Sequence, residues 1–186
     1  MKTAIILAAR REKESEIPYP LKAFAPDLCL LDRTIGILRD LHFSNILIVV
    51  GYKAEMFRKY EADDVTLIVN KDYEFTASMG SLALAKDYVK EDFLLIESDT
   101  FYEKKVLEQL TETKYDTCFS ITEESGSGDE AFVQTKNGFI EKVCKDRHQI
   151  LHIDGEMIGL TKISLAKLHD MCCLYESASN KKVNYE

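Results

Sequence analysis

The chain has 186 residues, of which 46% are hydrophobic and 30% are charged. A chain of this length can bury one substantial core without disulfides or metals, so a single domain over residues 1–186 is expected. Its formal net charge of −8 opposes broad contact with nucleic acid or with an anionic membrane surface. Neither nucleic acid nor a membrane is therefore expected as a partner.

The cysteines and the first residues indicate the compartment. The five cysteines are an odd number without CxxC spacing, which favours reduced thiols over a disulfide framework. The apolar stretch 3–9 is too short to span a membrane, and Arg10 and Arg11 follow it where a cleavage site would need small residues. We therefore expect a cytoplasmic protein whose first apolar stretch is a buried strand.

Up to Thr122 the chain alternates short β-branched runs with segments of helical period. This alternation is typical of an α/β fold with a mostly parallel, twisted sheet and helices on both faces. Strands are predicted at Ala4–Ala8, Ile46–Val50, Val65–Val69, Phe93–Glu97 and Thr117–Ile121. Helices are predicted around the stripe of Leu31, Ile35, Leu38 and Leu41, and at Ala54–Tyr60, Ser81–Tyr88 and Lys104–Thr111.

After Thr122 the sequence changes to a loop rich in glycine, serine and acidic residues. Two short strands, Ala131–Thr135 and Phe139–Val143, flank an Asn-Gly turn and predict a small β-hairpin beside the main sheet. Met157–Ile163 predicts one more strand, and Ser164 is expected to cap a helix that runs to about Leu174.

Polar residues that follow the strands are the first candidates for a site, because ligands of open parallel sheets bind beyond the carboxyl ends of the strands. The first strand runs into Arg10, Arg11, Glu12 and Lys13, and Lys22 follows in a Pro-Leu-Lys turn. This local excess of cations on an acidic chain suits a polyphosphate ligand. A solvated charged loop is the alternative interpretation.

The strand that ends at Glu97 continues into Ser98 and Asp99. The period of two places Glu97 and Asp99 on one face, with Asp99 at the open edge of the sheet. A carboxylate there suits Mg²⁺ bound against substrate phosphates. Alternatively, Asp99 caps the following helix.

A loop of small residues over 75–81 precedes a predicted helix. Its backbone could approach a flat nucleobase closely, because Gly80 and Ala77 have little side chain. A tight helix entry capped by Ser78 is the alternative. The sequence contains no Walker-type lysine loop, GxGxxG motif or zinc-binding spacing.

Several of these segments together resemble the sugar-nucleotidyltransferase superfamily. AIILAA, PLKAF, NKDYEFTASMGSLALA, DFLLIESDTFYE and EKVCKD occur in the order that its members show. Within that superfamily the chain is most similar to cytidylyltransferases acting on 2-aminoethylphosphonate or phosphocholine, and TASMGSLALA and ESDTFYE are the most specific matches. The resemblance implies a Rossmann-like nucleotidyltransferase fold.

The resemblance also implies a role for each candidate residue. Arg10 and Lys22 would act on the triphosphate and the departing pyrophosphate as catalytic residues, and Asp99 would hold Mg²⁺. The expected nucleotide-binding residues are Ala8, Ala9, Arg10, Arg11, Thr76, Ser78, Gly80 and Ser81. The expected acceptor-binding residues are Tyr102, Asp129, Lys145 and Glu156.

The implied reaction is attack of an acceptor oxygen on the α-phosphorus of CTP, with release of pyrophosphate. The resemblance is closer to the phosphonate branch, so 2-aminoethylphosphonate is expected in preference to phosphocholine. Carboxylates and aromatic faces among the candidate residues favour a cationic head of either kind over a sugar. A nucleotidyltransferase acting on a sugar 1-phosphate is one alternative, and a non-catalytic nucleotide-binding domain is another. The expected ligands are CTP, the acceptor and Mg²⁺, and a homodimer is left open.

Two features depart from the pattern of the superfamily. No glycine lies between Ala9 and Lys22, where members have a glycine-rich loop whose main chain holds phosphate, so side chains would replace some of those contacts. Relatives also continue beyond Glu186 into a segment that carries a second acidic metal ligand. The chain is therefore expected to be truncated at its C-terminus.

Overall fold

The computed structural model describes residues 1–12, 15–128 and 130–185. The strands are β1 Thr3–Ala8, β2 Ala23–Ala25, β3 Leu28–Cys29, β4 Asn45–Val50, β5 Val65–Val69, β6 Phe93–Glu97, β7 Cys118–Thr122, β8 Phe132–Lys136, β9 Phe139–Cys144 and β10 Gly155–Ile163. The α-helices are α1 Leu30–Asp40, α2 Ser78–Leu84, α3 Lys104–Glu112 and α4 Leu165–Ser177. Short 3₁₀ helices occur at Tyr19–Leu21, Ala54–Tyr60, Lys86–Tyr88 and Arg147–Gln149.

Eight of the strands form one mixed sheet, in the order β5-β4-β1-β6-β10-β8-β9, with β7 also paired to β10. β5, β4, β1 and β6 run parallel, whereas β10 is antiparallel to β6, β7 and β8. The α/β prediction is confirmed. The predicted hairpin, β8 and β9, belongs to this sheet, because the long strand β10 pairs with β6 near its end and with β8 at its start.

The sheet separates two apolar cores, and β1 shows how the sequence supplies both. Ala4 and Ile6 face one core and Ile5 faces the other, and all three are fully buried. The first core also contains Leu31 and Leu38 of α1 and Leu107 of α3, whereas the second contains Leu82 of α2 and Leu168 of α4. Each such side chain contributes about 1.5–3 kcal/mol by leaving water, so the helices are held on both faces.

Three local predictions differ from the structure. Residues 54–60 form a 3₁₀ helix that buries only Phe57, since so short a segment gains too little packing for regular α-helix. α2 begins at Ser78, three residues before the predicted start at Ser81. β2 and β3 were missed because strands of two and three residues carry no recognisable alternation. The predicted N-cap of α4 is confirmed, because Ser164 Oγ accepts a hydrogen bond from the Lys167 amide at 3.2 Å.

Within the described residues, no helix combines the length and the apolar character that crossing a membrane requires.

Candidate active site

Two adjoining cavities open at the carboxyl ends of β1 and β6. The first, of about 740 Å³, lies between the loop after β1 and the start of α2. The second, of about 520 Å³, lies between that loop and β10. Arg10, Glu97, Asp99 and Lys145 line both cavities, so these four residues mark the junction between them.

The loop after β1 places two arginines at the first cavity. Its path is fixed by Ala9, which is buried and whose carbonyl accepts a hydrogen bond from the Tyr52 amide at 3.0 Å. Arg11 Nη1 lies 3.8 Å from Glu74 Oε1, and its guanidinium lies over the Tyr52 ring at 5.3 Å. Arg11 therefore links this loop to the loop before α2, whereas Arg10 is exposed at the junction.

The end of β6 supplies two carboxylates to the junction. Glu97 is the last residue of β6, and the exposed Asp99 follows it. α3 begins only at Lys104, with Glu103 as its N-cap residue, so the interpretation of Asp99 as a helix cap is wrong. Both side chains line the two cavities, as the period of two requires for residues on one face.

Gly159 in β10 determines how closely the sheet passes Glu97. It has a φ of +69° and lies where the pairing of β10 with β7 shifts register. A Cβ at this position would lie 2.8 Å from the Cβ of Glu97 and 3.1 Å from its Cδ. A glycine is therefore needed both for the backbone conformation and for the space that the Glu97 side chain occupies.

The two carboxylates suit a divalent cation. Among the described residues no group of three or more histidine, cysteine or acidic side chains could hold a metal ion. Mg²⁺ typically takes one or two protein carboxylates and completes its shell with water and substrate phosphate oxygens. Asp99 and Glu97 together fit that requirement.

A buried asparagine organises the loop before α2. Asn70 follows β5 and is 3% exposed. Its amide donates to Thr76 Oγ1 at 3.0 Å and to Ser81 Oγ at 3.1 Å, and its carbonyl oxygen accepts from the Asp72 amide at 3.0 Å. These bonds fix two hydroxyl residues that line the first cavity. Sequence reasoning missed Asn70, because an asparagine after a strand also fits an ordinary turn.

The start of α2 has a different cap from the one proposed. Ala77 is the N-cap residue and makes no side-chain cap bond, so the interpretation of Ser78 as the cap is wrong. Ser78 lines the first cavity, and its Oγ accepts from the Tyr185 amide at 3.0 Å. Gly80 is buried behind the lining, where a Cβ would lie 2.6 Å from the Cβ of Thr76. Gly80 thus lets the loop pack against α2 without itself reaching the cavity.

The antiparallel half of the sheet supplies the far side of the second cavity. Lys145 follows β9, and Glu156 lies in β10. The carboxylate of Glu156 accepts hydrogen bonds from the amide of Ser125 at 2.8 Å and from its hydroxyl at 3.1 Å. Glu156 therefore holds the loop after β7 against the second cavity, which both residues line.

Five predicted site residues are not in the described lining of either cavity, and Gly80, buried within α2, is one of them. Lys22 Nζ lies 3.2 Å from Glu12 Oε2 and so stays at the rim of the second cavity. Tyr102 is 5% exposed in the core beside α1, with its hydroxyl 3.4 Å from Thr34 Oγ1, and this burial removes it from the acceptor site. Ala8 is buried at the end of β1. Asp129 lies outside the described residues.

The first cavity also contains residues that sequence reasoning did not single out. Tyr73 and Glu74 lie in the segment that carries the resemblance, so that segment could have indicated them. Burial raises the pKa of Tyr73 and the Glu74 carboxylate raises it further, which keeps the phenol protonated at neutral pH. Lys182 and Asn184 lie in a polar segment without helix or strand, where the sequence carries no signal of a site.

Comparison with known proteins shows what the chain is similar to. The chain is 31% identical over 117 residues to the CMP-5'-(3-aminopropyl)phosphonate synthase of Streptomyces rubellomurinus, a match that covers 58% of this chain and 18% of the relative. It is 29% identical over 117 residues to the choline-phosphate cytidylyltransferase of Haemophilus influenzae, covering 61% and 48%. Its relatives and structural neighbours are cytidylyltransferases of the nucleotidyltransferase superfamily.

The fold is shared over the whole chain with solved structures of that superfamily. The inositol-1-phosphate CTP transferase from T. maritima superposes with a TM-score of 0.77 at 20% identity, covering 100% of this chain and 78% of that one. No family model matches the chain. Less than half the length of either curated relative above is matched by the chain. The similarity to the nucleotidyltransferase superfamily and its fold, expected from the sequence, is confirmed.

Proposed function

We propose that the protein is a cytidylyltransferase that transfers CMP from CTP to a small acceptor and releases pyrophosphate. The acceptor carries a phosphonate or phosphate group and a cationic head, with 2-aminoethylphosphonate favoured over phosphocholine. The observation that supports this proposal is the meeting of two cavities at Arg10, Asp99 and Lys145. Two substrates bound in the separate cavities would bring their phosphorus groups to that junction.

The first cavity is the proposed CTP site. Its volume of about 740 Å³ is in the range of small-molecule sites. Its lining includes the hydroxyl residues Thr76, Ser78 and Ser81, which suit the polar edge of a nucleobase. It also includes Arg10 and Arg11, which suit the triphosphate. The choice of cytosine rests on the cytidylyltransferase relatives.

In the proposed reaction an ionised oxygen of the acceptor attacks the α-phosphorus of CTP. The new P–O bond forms as the bond from the α-phosphorus to the bridging oxygen breaks, and pyrophosphate leaves with the electron pair. The attacking oxygen is already deprotonated, so no general base is needed and positioning dominates. Arg10 and Lys145 would offset the charge gathered at the junction, and Lys22 at the rim would bind the departing pyrophosphate.

Nucleotidyltransferases of this kind generally use a divalent metal, and we propose Mg²⁺ here. Asp99 and Glu97 would hold it. When bound, the ion supplies positive charge that stabilises the phosphoryl oxygens in the transition state.

The charge of the second cavity favours a cationic acceptor head. Among the described residues, this cavity is lined by Glu12 and Glu156 in addition to Glu97 and Asp99, the two carboxylates proposed to hold Mg²⁺. Glu12 and Glu156 therefore remain to attract a cationic head. The ring of Tyr19 also lines this cavity and could face a quaternary ammonium or an amine. A neutral sugar head could donate hydroxyl hydrogen bonds to these carboxylates but would gain no charge attraction from them.

The proposal is tested by incubating the protein with Mg²⁺, each of CTP, UTP, dTTP and GTP, and a panel of phosphonate and phosphate acceptors. We expect pyrophosphate release with CTP and, by mass spectrometry, a CMP conjugate of 2-aminoethylphosphonate. Conjugates of sugar 1-phosphates instead would support a nucleotidyltransferase that acts on a sugar 1-phosphate. Binding of CTP without pyrophosphate release would support a non-catalytic nucleotide-binding domain. Either outcome, or a preference for another nucleotide, contradicts the proposal.

A further inference from the structure

The segment 181–185 is bound across the first turn of α2. The carbonyl of Val183 accepts a hydrogen bond from the Met79 amide at 3.2 Å, and the Tyr185 amide donates to Ser78 Oγ at 3.0 Å. Asn184 Oδ1 lies 3.4 Å from the same Ser78 hydroxyl. Tyr185 is 8% exposed and belongs to the second core. The segment is therefore a fixed wall of the first cavity beside the start of α2.

Two adjacent lysines in this segment have different surroundings. Lys181 Nζ donates to the carbonyls of Tyr175 and Glu176 at the end of α4, at 2.7 and 3.1 Å. These bonds satisfy carbonyls at the end of a helix, which is a structural role. Lys182 is exposed and lines the first cavity, and its ammonium makes no ion pair within the part of the chain that the structure describes.

The backbone of Lys182, which lines the first cavity, is fixed by hydrogen bonds, whereas its ammonium group makes no ion pair with any described residue. The Lys182 amide donates to Asn180 Oδ1 at 2.9 Å, and the following residue is fixed through its carbonyl to α2. A cation on a fixed backbone loses little freedom when it binds an anion, apart from its own rotamers. The anionic part of a nucleoside triphosphate is its phosphate chain, so this is the part that such a cation recognises.

We propose that Lys182 is a nucleotide-binding residue that contacts the phosphates of CTP, supplied to the first cavity by the segment 181–185. This inference rests on the proposed function. It adds a cation from a segment far along the chain to the two arginines that follow β1. It also accounts for a binding site whose loop lacks the glycines that would present main-chain donors to phosphate.

The test compares Lys182→Met with Lys167→Met, which removes an exposed lysine of α4 that lines neither cavity. Dissociation constants are measured for CTP and for cytidine. Since charge-assisted hydrogen bonds are among the stronger ones, we expect Lys182→Met to weaken CTP binding about tenfold and to leave cytidine binding within about twofold. Lys182→Arg should recover most of the CTP affinity, and Lys167→Met should change neither.

A second measurement does not depend on any variant. Trypsin cleaves after lysine, and the exposed Lys182 offers such a bond. CTP should slow cleavage after Lys182 several-fold, whereas cytidine at saturating concentration should protect much less.

The outcomes separate this inference from the proposed function. If the parent binds another nucleoside triphosphate more tightly than CTP, the same comparison is made with that nucleotide, and the role of Lys182 is judged independently. Unchanged triphosphate affinity in Lys182→Met, or an equal loss for cytidine, overturns the role of Lys182 while the proposed function stands. A parent that binds no nucleoside triphosphate overturns both.

Discussion

The two cavities share a junction but differ in charge. Counting the described residues, the first is lined by four cations and three carboxylates, and the second by two cations and four carboxylates. The four residues of the junction belong to both, so the difference comes from the outer walls. Arg11 and Lys182 belong to the first cavity alone, whereas Glu12 and Glu156 belong to the second alone.

This contrast follows from the topology of the sheet. The first cavity lies at the carboxyl ends of parallel strands, where short loops and main chain surround a ligand closely. The second cavity is completed by β10 and by the loop after β7, which belong to the antiparallel half. The outer walls of the proposed CTP site and of the proposed acceptor site therefore differ in which half of the sheet contributes to them. Substitutions in the outer walls should affect one substrate, and substitutions at the junction should affect both.

The largest effect is expected at the junction, from Asp99→Asn. Loss of this carboxylate should weaken the binding of the divalent cation. Because the charge of that cation stabilises the transition state by several kcal/mol, turnover should fall at least about 100-fold. The melting temperature should not change, because the side chain is exposed. Steady-state kinetics with both substrates and a thermal melt are the measurements. The control is Asp116→Asn, because Asp116 is exposed and lines neither cavity. Retention of more than half of the activity by Asp99→Asn would remove this residue from the metal site.

The next effect is expected behind the first cavity, from Asn70→Ala. This change breaks the bonds that position Thr76 and Ser81 and leaves the buried Ser81 hydroxyl without its donor, which costs about 1–3 kcal/mol of stability. The KM for CTP should rise about tenfold, whereas the KM for the acceptor should stay within about twofold.

Asn45→Ala is the matched control for Asn70→Ala. Asn45 lies at the opposite end of the sheet, at the start of β4, and its amide donates to Thr3 Oγ1 at 3.3 Å. This variant should lose stability without any change in either KM. Similar KM values for CTP in the two variants would show that Asn70 has only a structural role.

A smaller and more selective effect is expected in the second cavity, from Glu156→Gln. The glutamine side chain can still accept a hydrogen bond from Ser125 but carries no charge. The KM for 2-aminoethylphosphonate should rise several-fold, because one of the carboxylates facing the amine is lost. The CTP dissociation constant should not change. Glu124→Gln is the control, since Glu124 lies in the same loop, accepts from Arg147 and lines neither cavity. A parallel loss of CTP affinity in Glu156→Gln would contradict the division of the substrates between the cavities.

The sequence predicts the first cavity better than the second. The strands that end at Ala8 and Glu97 are short apolar runs, and their carboxyl ends meet because parallel strands share an edge, so Arg10 and Asp99 could be placed together. The antiparallel pairing of β10 with β6, β7 and β8 depends on contacts between distant segments, which periodicity does not encode. Lys145 and Glu156 were consequently placed only through the resemblance.

Burial explains the remaining differences. Tyr102 follows Asp99 closely in sequence but turns into the core beside α1. Nothing in a local pattern distinguishes an aromatic that faces a ligand from one that fills a core. Lys182 shows the opposite case, because a polar segment acquires its position from hydrogen bonds to α2 and from the burial of Tyr185. Both outcomes are decided by tertiary packing.

The smallest effect is expected far from both cavities, from Asp64→Asn. Arg39 of α1 donates two hydrogen bonds to Asp64, at 2.7 and 2.9 Å, and these bonds lower the pKa of Asp64. The pair is largely exposed, so it contributes about 0.2–1 kcal/mol. A depressed folded-state pKa stabilises the fold above the unfolded pKa of about 3.9, and that contribution is lost as the pH falls through the folded value. The stability difference between parent and variant should therefore be constant from about pH 6 to 8 and shrink below about pH 4. Urea unfolding at a series of pH values measures it. Neither KM should change, and a difference that grew towards low pH would show that Asp64 is not stabilised as a carboxylate.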